Sequence, residues 1–255
     1  MRCAYSSITC PAGNEVPGHR GGDIVAAVET PAAVRLLVGD VMGHGPEAIR
    51  IAASVTCAFT RLAAHAQDPA QVVAARLDGV VASMESDGEA DADPREEFVT
   101  AQFIDIPRAG DAEARIVCCG HPPPLLLRDG TATFLDAIPP APPLGLLDLG
   151  GPAFPHPVPL DTRPGDTLLF YTDGVTEARD GDGAFYPLPE RAAGRLREAG
   201  EAGKGLAETL AADLLAHVAG PLQDDATLVS LRMADTSEPG TGSRDSVRSI
   251  FLAAE

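Results

Sequence analysis

The chain has 255 residues, enough to bury one sizeable core, and its 45% hydrophobic content is that of an ordinary globular protein. Asp and Glu outnumber Lys and Arg by 37 to 19, a formal charge of −18, and a field of that sign repels phosphate backbones and anionic lipid, which argues against nucleic acid or a membrane as partner. No apolar run reaches the length of a signal-peptide core or a membrane span, so a cytoplasmic protein is expected, and five cysteines without Cys-x-x-Cys spacing suggest reduced thiols rather than a disulfide framework or a zinc site.

Residues 1–20 read as an N-terminal extension. Alternation and short apolar runs predict strands over 23–28, 34–38, 98–106, 114–119, 124–128, 131–135, 167–171 and 226–233. Asp129-Gly130, between two of these runs, has the composition of a two-residue hairpin turn, whose central residues both need positive φ. Between the second and third strands the spacing predicts two helices. One opens at Pro46 with an apolar stripe of Ile49, Ala52, Ala53, Thr56, Phe59 and Ala63; the other has Asp68 as cap, Pro69 as first residue, and Val72, Val73, Leu77, Val80, Val81 and Met84 on one face. The acidic stretch 85–97 and the Pro-rich stretch 138–159 read as surface loops. Residues 188–217 read as two helices broken around 200–205, and the polar, Gly/Ser-rich tail 236–255 is expected to be disordered. Strands arriving in pairs, with helices grouped between them, predict an α+β fold of antiparallel sheets covered by helices.

Four acids stand at strand ends. Asp40 closes an apolar strand and is followed by Val41-Met42-Gly43-His44-Gly45-Pro46, a turn whose glycines let backbone approach a ligand and whose helix start favours an anion. Asp173 follows the run Leu168–Thr172, the pair Asp224-Asp225 opens the last strand, and Asp23 follows two glycines at the start of the first. Any one of them is equally an ordinary turn or cap. Converging in space, they would form an oxygen-only cluster of the kind that selects hard cations such as magnesium or manganese.

The motifs Gly21-Gly22-Asp23, Gly39-Asp40-Val41-Met42-Gly43-His44-Gly45, Phe98-Val99-Thr100-Ala101, Gly120-His121-Pro122-Pro123-Pro124, Pro143-Leu144-Gly145-Leu146, Pro164-Gly165-Asp166, Tyr171-Thr172-Asp173-Gly174-Val175-Thr176-Glu177 and Asp224-Asp225-Ala226-Thr227 occur in this order. In that order they resemble the stage-II-sporulation-E branch of the metal-dependent, type-2C-like serine/threonine protein phosphatases. The resemblance covers roughly residues 21–233, within a single phosphatase domain expected over 21–235. It implies a four-layer α-β-β-α sandwich, two antiparallel sheets packed face to face with helices outside. It also implies two Mn2+ or Mg2+ ions, with Asp40 bridging both, Asp23 holding one, and Asp173 with Asp224 or Asp225 holding the other. Val41 would offer its backbone carbonyl; Asp224 fits the motif position better, leaving Asp225 as a supporting partner or the ligand of a weaker metal.

The activity implied is hydrolysis of phosphoserine or phosphothreonine by a water bridging the two ions, with no phosphoenzyme. His44 is a candidate to protonate the leaving seryl or threonyl oxygen, or else a structural element of its turn, and His121 reads as part of a rigid turn. By analogy, the substrate is a phosphorylated protein, an anti-sigma-factor antagonist in a partner-switching pathway. With about twenty residues ahead of the first motif, regulation is expected from a separate protein or from expression. Two further readings are a catalytically silent binding module on the same scaffold and a small-molecule phosphomonoesterase.

Overall fold

The computed structural model describes residues 2–11, 21–65, 70–85, 98–108, 113–139, 141–150, 155–199, 205–234 and 249–251. In chain order the elements are β1 (Arg2–Cys10), β2 (Asp23–Glu29), β3 (Ala33–Val41), α1 (Pro46–Ala63), α2 (Ala70–Glu85), β4 (Val99–Pro107), β5 (Arg115–Cys119), β6 (Leu125–Arg128), β7 (Thr131–Phe134), β8 (Val158–Pro159), β9 (Thr167–Tyr171), α3 (Asp173–Thr176), α4 (Leu188–Ala199), α5 (Leu206–His217), β10 (Ala226–Ala234) and β11 (Ser249–Phe251). They fall into two compact units, each built on one sheet. Two sheets with flanking helices make the α+β architecture expected.

The first unit comprises Arg20–His121 and Ala137–Asp161. Its sheet runs β2-β3-β4-β5-β8, every neighbouring pair antiparallel. The β2–β3 hairpin turns at Thr30, whose hydroxyl accepts the Ala33 N–H at 3.0 Å and whose own N–H donates to the Ala33 carbonyl at 2.9 Å. Helix α1 packs on β2 and β3, and α2 on β4 and β5. The core between helices and sheet holds Ile24, Leu37, Ile51, Val55, Phe59, Leu77 and Phe103, with the Phe59 and Phe103 rings 6.3 Å apart. Each such side chain contributes roughly 1.5–3 kcal/mol by leaving water.

The buried face of α1 is rotated from the stripe expected. Ala48, Ile51, Ala52, Val55, Ala58, Phe59 and Ala63 are buried, whereas Ala53 is exposed and Ile49 and Thr56 are half-buried. An alanine-rich helix offers two overlapping apolar faces, and the larger Ile51, Val55 and Phe59 win the core. Asp68 and Pro69 lie outside the described residues, while Val73, Leu77, Val81 and Met84 of α2 are buried as expected.

Arg35, near the start of β3, is only 5% exposed in a strand whose other charge is Asp40 near its end. Its Nη1 donates to the carbonyls of Ala63 at 2.9 Å and His65 at 2.6 Å, where the cation also meets the negative end of the helix dipole at the close of α1. Asp105, its cross-strand partner on β4, lies 3.6 Å from Nε.

The second unit comprises Met1–His19, Pro122–Asp136 and Thr162–Glu255. Its sheet runs β11-β1-β10-β9-β6-β7 and is antiparallel except for the β1–β11 pair. The supposed N-terminal extension is therefore corrected in part, since β1 pairs along its whole length with β10. Its alternation is masked by hydroxyls that bond across the ladder, Thr9 to Thr227 at 2.8 Å and Ser6 to Ser230 at 3.0 Å. In the tail expected to be disordered, Ser249–Phe251 pair parallel with Ser7–Thr9; the rest of 235–255 lies outside the described residues.

The β6–β7 turn has Asp129 at φ 50° and Gly130 at φ 73°, the paired positive values expected of that dipeptide. The two helices expected over 188–217 are α4 and α5, and α3 is a single turn that the sequence did not announce. The core of this unit holds Ile8, Leu125, Leu169, Tyr171, Leu188, Leu210, Leu214 and Leu228. Among the described residues no helix is long and apolar enough to cross a membrane.

Candidate functional site

The acids singled out in the sequence stand as two pairs, one in each unit. In the first unit Asp23 and Asp40 are direct cross-strand partners on β2 and β3, both half-buried. The Val41 N–H donates to the Gly22 carbonyl at 3.2 Å, so Gly22 and Val41 are the hydrogen-bonded pair. Alternation then makes Asp23 and Asp40 a non-hydrogen-bonded pair, the closer kind, with Cα atoms about 4.5 Å apart. Like charges directly opposite each other on a sheet are destabilising by a few tenths of a kcal/mol to about 1 kcal/mol.

Val41 adds a third oxygen. A Cβ on Gly22 would lie 2.9 Å from Asp40 Oδ1 and 2.9 Å from the Val41 carbonyl oxygen, so both oxygens flank the same point and lie within twice that distance of each other. Only a glycine at position 22 leaves that point clear. On the other side of Asp40, its cross-strand partner on β4 is Thr100, whose Oγ1 lies 3.4 Å from the Asp40 carbonyl oxygen and 2.9 Å from His121 Nδ1. His121 is 5% exposed. It is more than the turn element expected, because its ring reaches back to β4.

His44 lies in the turn from β3 to α1 between Gly43 at φ 94° and Gly45 at φ 87°. Its ring is exposed. Met42 beside it is 55% exposed.

In the second unit Asp173 is the first residue of α3, capped by the extended Thr172, and Asp224 and Asp225 lead into β10. The two segments meet because β9 and β10 pair, Leu228 opposite Tyr171, and the Thr172 N–H continues the ladder to the Thr227 carbonyl at 3.1 Å. Partial burial pushes the Asp173 carboxyl above the usual carboxylate range, and the negative charges of Asp224 and then Glu177 push it further, outweighing hydrogen bonds from the local backbone. Asp173 and Asp224 thus form a second like-charged pair.

The two residues of the final acidic pair differ. Asp224 is exposed, and its Oδ1 accepts the Asp225 N–H at 2.8 Å; Asp225 is 7% exposed, with its backbone against Gly174 of α3. Among the described residues no group of three or more His, Cys, Asp or Glu is gathered at metal-binding distance. The acidic side chains of both pairs offer oxygen atoms only, a chemistry that would suit a hard divalent cation.

Residues 30–234 match the family model described as stage II sporulation protein E (SpoIIE). Comparison with curated proteins returns no match. Among solved structures, the RsbU and RsbW domains of Rv1364c from Mycobacterium tuberculosis share 25% identity and a TM-score of 0.72, covering 92% of this chain and 61% of that one. The PP2C phosphatase domain of SpoIIE from Bacillus subtilis, with a fragment of its regulatory domain, shares 16% identity and a TM-score of 0.71, covering 92% and 63%. The catalytic domain of the serine/threonine protein phosphatase PstP, in complex with two manganese ions, shares 19% identity and a TM-score of 0.59, covering 91% and 99%. The chain thus spans less than two thirds of the length of the first two structures.

Proposed function

The chain belongs to the stage II sporulation protein E family of type-2C-like phosphatases, and from that premise we propose that it hydrolyses phosphoserine or phosphothreonine on a protein substrate with the help of two Mn2+ or Mg2+ ions. The observation that carries the reading is the Asp23–Asp40 pair with the Val41 carbonyl beside it, in a chain whose family model spans residues 30–234. Asp23, Asp40, Val41, Asp173 and Asp224 are the proposed ligands. Asp225, buried with its backbone under α3, supports Asp224 rather than replacing it.

When bound, the cations supply an activated water as nucleophile and positive charge for the phosphoryl oxygens. Asp23, Asp40, Asp173 and Asp224 would hold the cations, their carboxylates supplying the negative charge that favours such binding. Asp40, between Gly22 on one side and Thr100 on the other, fixes the central carboxylate. The His44 imidazole, exposed in the turn, holds the proton that the leaving seryl or threonyl oxygen takes up. We further propose that the substrate is a phosphorylated anti-sigma-factor antagonist in the cytoplasm, a reading supported by the likeness to a structure containing RsbU and RsbW domains.

The test is direct. Purified protein should release phosphate from a phosphoserine peptide with Mn2+ and fall silent with a chelator, and Asp40→Ala should be inactive. Turnover by Asp40→Ala, or turnover indifferent to chelation, would refute the mechanism.

A further inference from the structure

We propose that Thr100 and His121 are positioning residues for Asp40, an inference that rests on the reading of Asp40 and Val41 as metal ligands. The Asp40–Val41 peptide group joins the two donors. Its N–H end is held from β2, where the Val41 N–H donates to the Gly22 carbonyl at 3.2 Å. Its C=O end faces β4, where Thr100 stands directly opposite Asp40. Met42 and Phe98 are a hydrogen-bonded pair, the Met42 N–H reaching the Phe98 carbonyl at 2.9 Å, so alternation makes Asp40 and Thr100 a hydrogen-bonded pair as well. The Thr100 hydroxyl adds a second contact to the same carbonyl at 3.4 Å.

That hydroxyl carries one proton and has two neighbours. If it is directed at the Asp40 carbonyl, the partner 2.9 Å away at His121 Nδ1 must be the donor, giving the chain His121 Nδ1–H to Thr100 Oγ1–H to Asp40 C=O. His121 is in turn fixed from behind. The Cys118 thiol donates to its carbonyl at 3.1 Å, Gly120 makes a parallel bridge to Ala101, and a Cβ at Gly120 would lie 2.7 Å from Pro143 Cγ, so the turn that delivers the ring has one packing.

The consequence is orientational. A tilt of the Asp40–Val41 peptide swings the Asp40 side chain and the Val41 carbonyl together, and metal donors have to be held to within about 10–20°. Groups that orient ligands from behind are worth about 10–100-fold in metal affinity. The experiment is calorimetric titration of the metal-free protein with Mn2+. Thr100→Val keeps the shape and strand preference of threonine and removes only the hydroxyl; it should weaken Mn2+ binding about tenfold, and Thr100→Ser should restore it. His121→Ala should match Thr100→Val, and His121→Asn, which keeps a donor near the Nδ1 position, should recover affinity.

Thr100→Val with the circular dichroism and the Mn2+ affinity of the parent overturns the proposal, and so does Thr100→Ser binding as weakly as Thr100→Val. Should His121→Ala fail to fold, the Thr100 pair decides. Asp40→Ala separates the two levels: loss of Mn2+ binding in Asp40→Ala with none in Thr100→Val leaves the metal reading standing and removes the positioning role. Parental binding by Asp40→Ala removes both.

Discussion

Replacing Gly174 by alanine should uncouple the second acidic pair without touching a carboxylate. A Cβ at this position would lie 2.0 Å from the Asp225 carbonyl oxygen and 2.8 Å from its carbon. An ordinary carbon-to-oxygen approach is about 3.3 Å, so α3 or the start of β10 must retreat by about 1.3 Å, and both neighbours are backbone with no flexible end to swing away. Overpacking of this kind costs about 1–3 kcal/mol. At about 2–4 °C per kcal/mol for a chain of roughly this size, a loss near the upper end lowers the melting temperature by about 6–12 °C. Either retreat also separates Asp173 from Asp224, and a displacement near 1 Å at a reacting centre costs about a hundredfold in rate. Thermal unfolding by circular dichroism and Mn2+-dependent phosphopeptide turnover measure the two effects. Gly194→Ala in α4 is the internal control. No heavy atom lies within 4 Å of its added Cβ, so the change should stabilise by about 0.5–1 kcal/mol. A Gly174→Ala protein that melts and turns over like its parent would refute the reasoning.

Arg35→Met leaves Asp105 with Arg115 as its remaining cationic neighbour and two carbonyls at the end of α1 without their Arg35 donor; it should cost about 3 kcal/mol in urea unfolding, and adding Asp105→Leu should recover part of that loss. His44→Ala should lower kcat about a hundredfold or more while Mn2+ affinity by calorimetry stays at the parental value, since the ring is exposed and outside the ligand set. At the Asp213 carboxyl, burial acts to raise the pKa but is outweighed by hydrogen bonds from Arg195 and Tyr186 and the charge of Arg191, so the net shift is below the ordinary 3.8. A carboxyl depressed in the folded state stabilises above its unfolded pKa and loses that contribution as pH falls through the lower folded value. Asp213→Asn should therefore be less stable than the parent at pH 7, with the gap narrowing below about pH 3.8 in urea midpoints taken across the acid range.

Much of this protein follows from local pattern. Apolar periodicity decides which segments are strands and which are helices, because a strand repeats every two residues and a helix every 3.6 regardless of what each packs on. Asp129-Gly130 sets its hairpin by the φ values those two residues accept. The acids at strand ends were visible for the same reason.

Pairing is a different matter. That β1 belongs in a sheet depends on β10, more than two hundred residues later, whose hydroxyls answer those of Ser6 and Thr9. The face of α1 that is buried was settled by Ile51, Val55 and Phe59 against the sheet, since an alanine-rich helix presents more than one candidate stripe. The opposition of Asp23 to Asp40 requires the register set at Thr30, and the meeting of Asp173 with Asp224 requires β9 to lie beside β10. Local sequence determined which carboxylates end strands. Tertiary structure alone decided which of them face one another, because register and strand order are paid for by burial and loop closure across the whole chain.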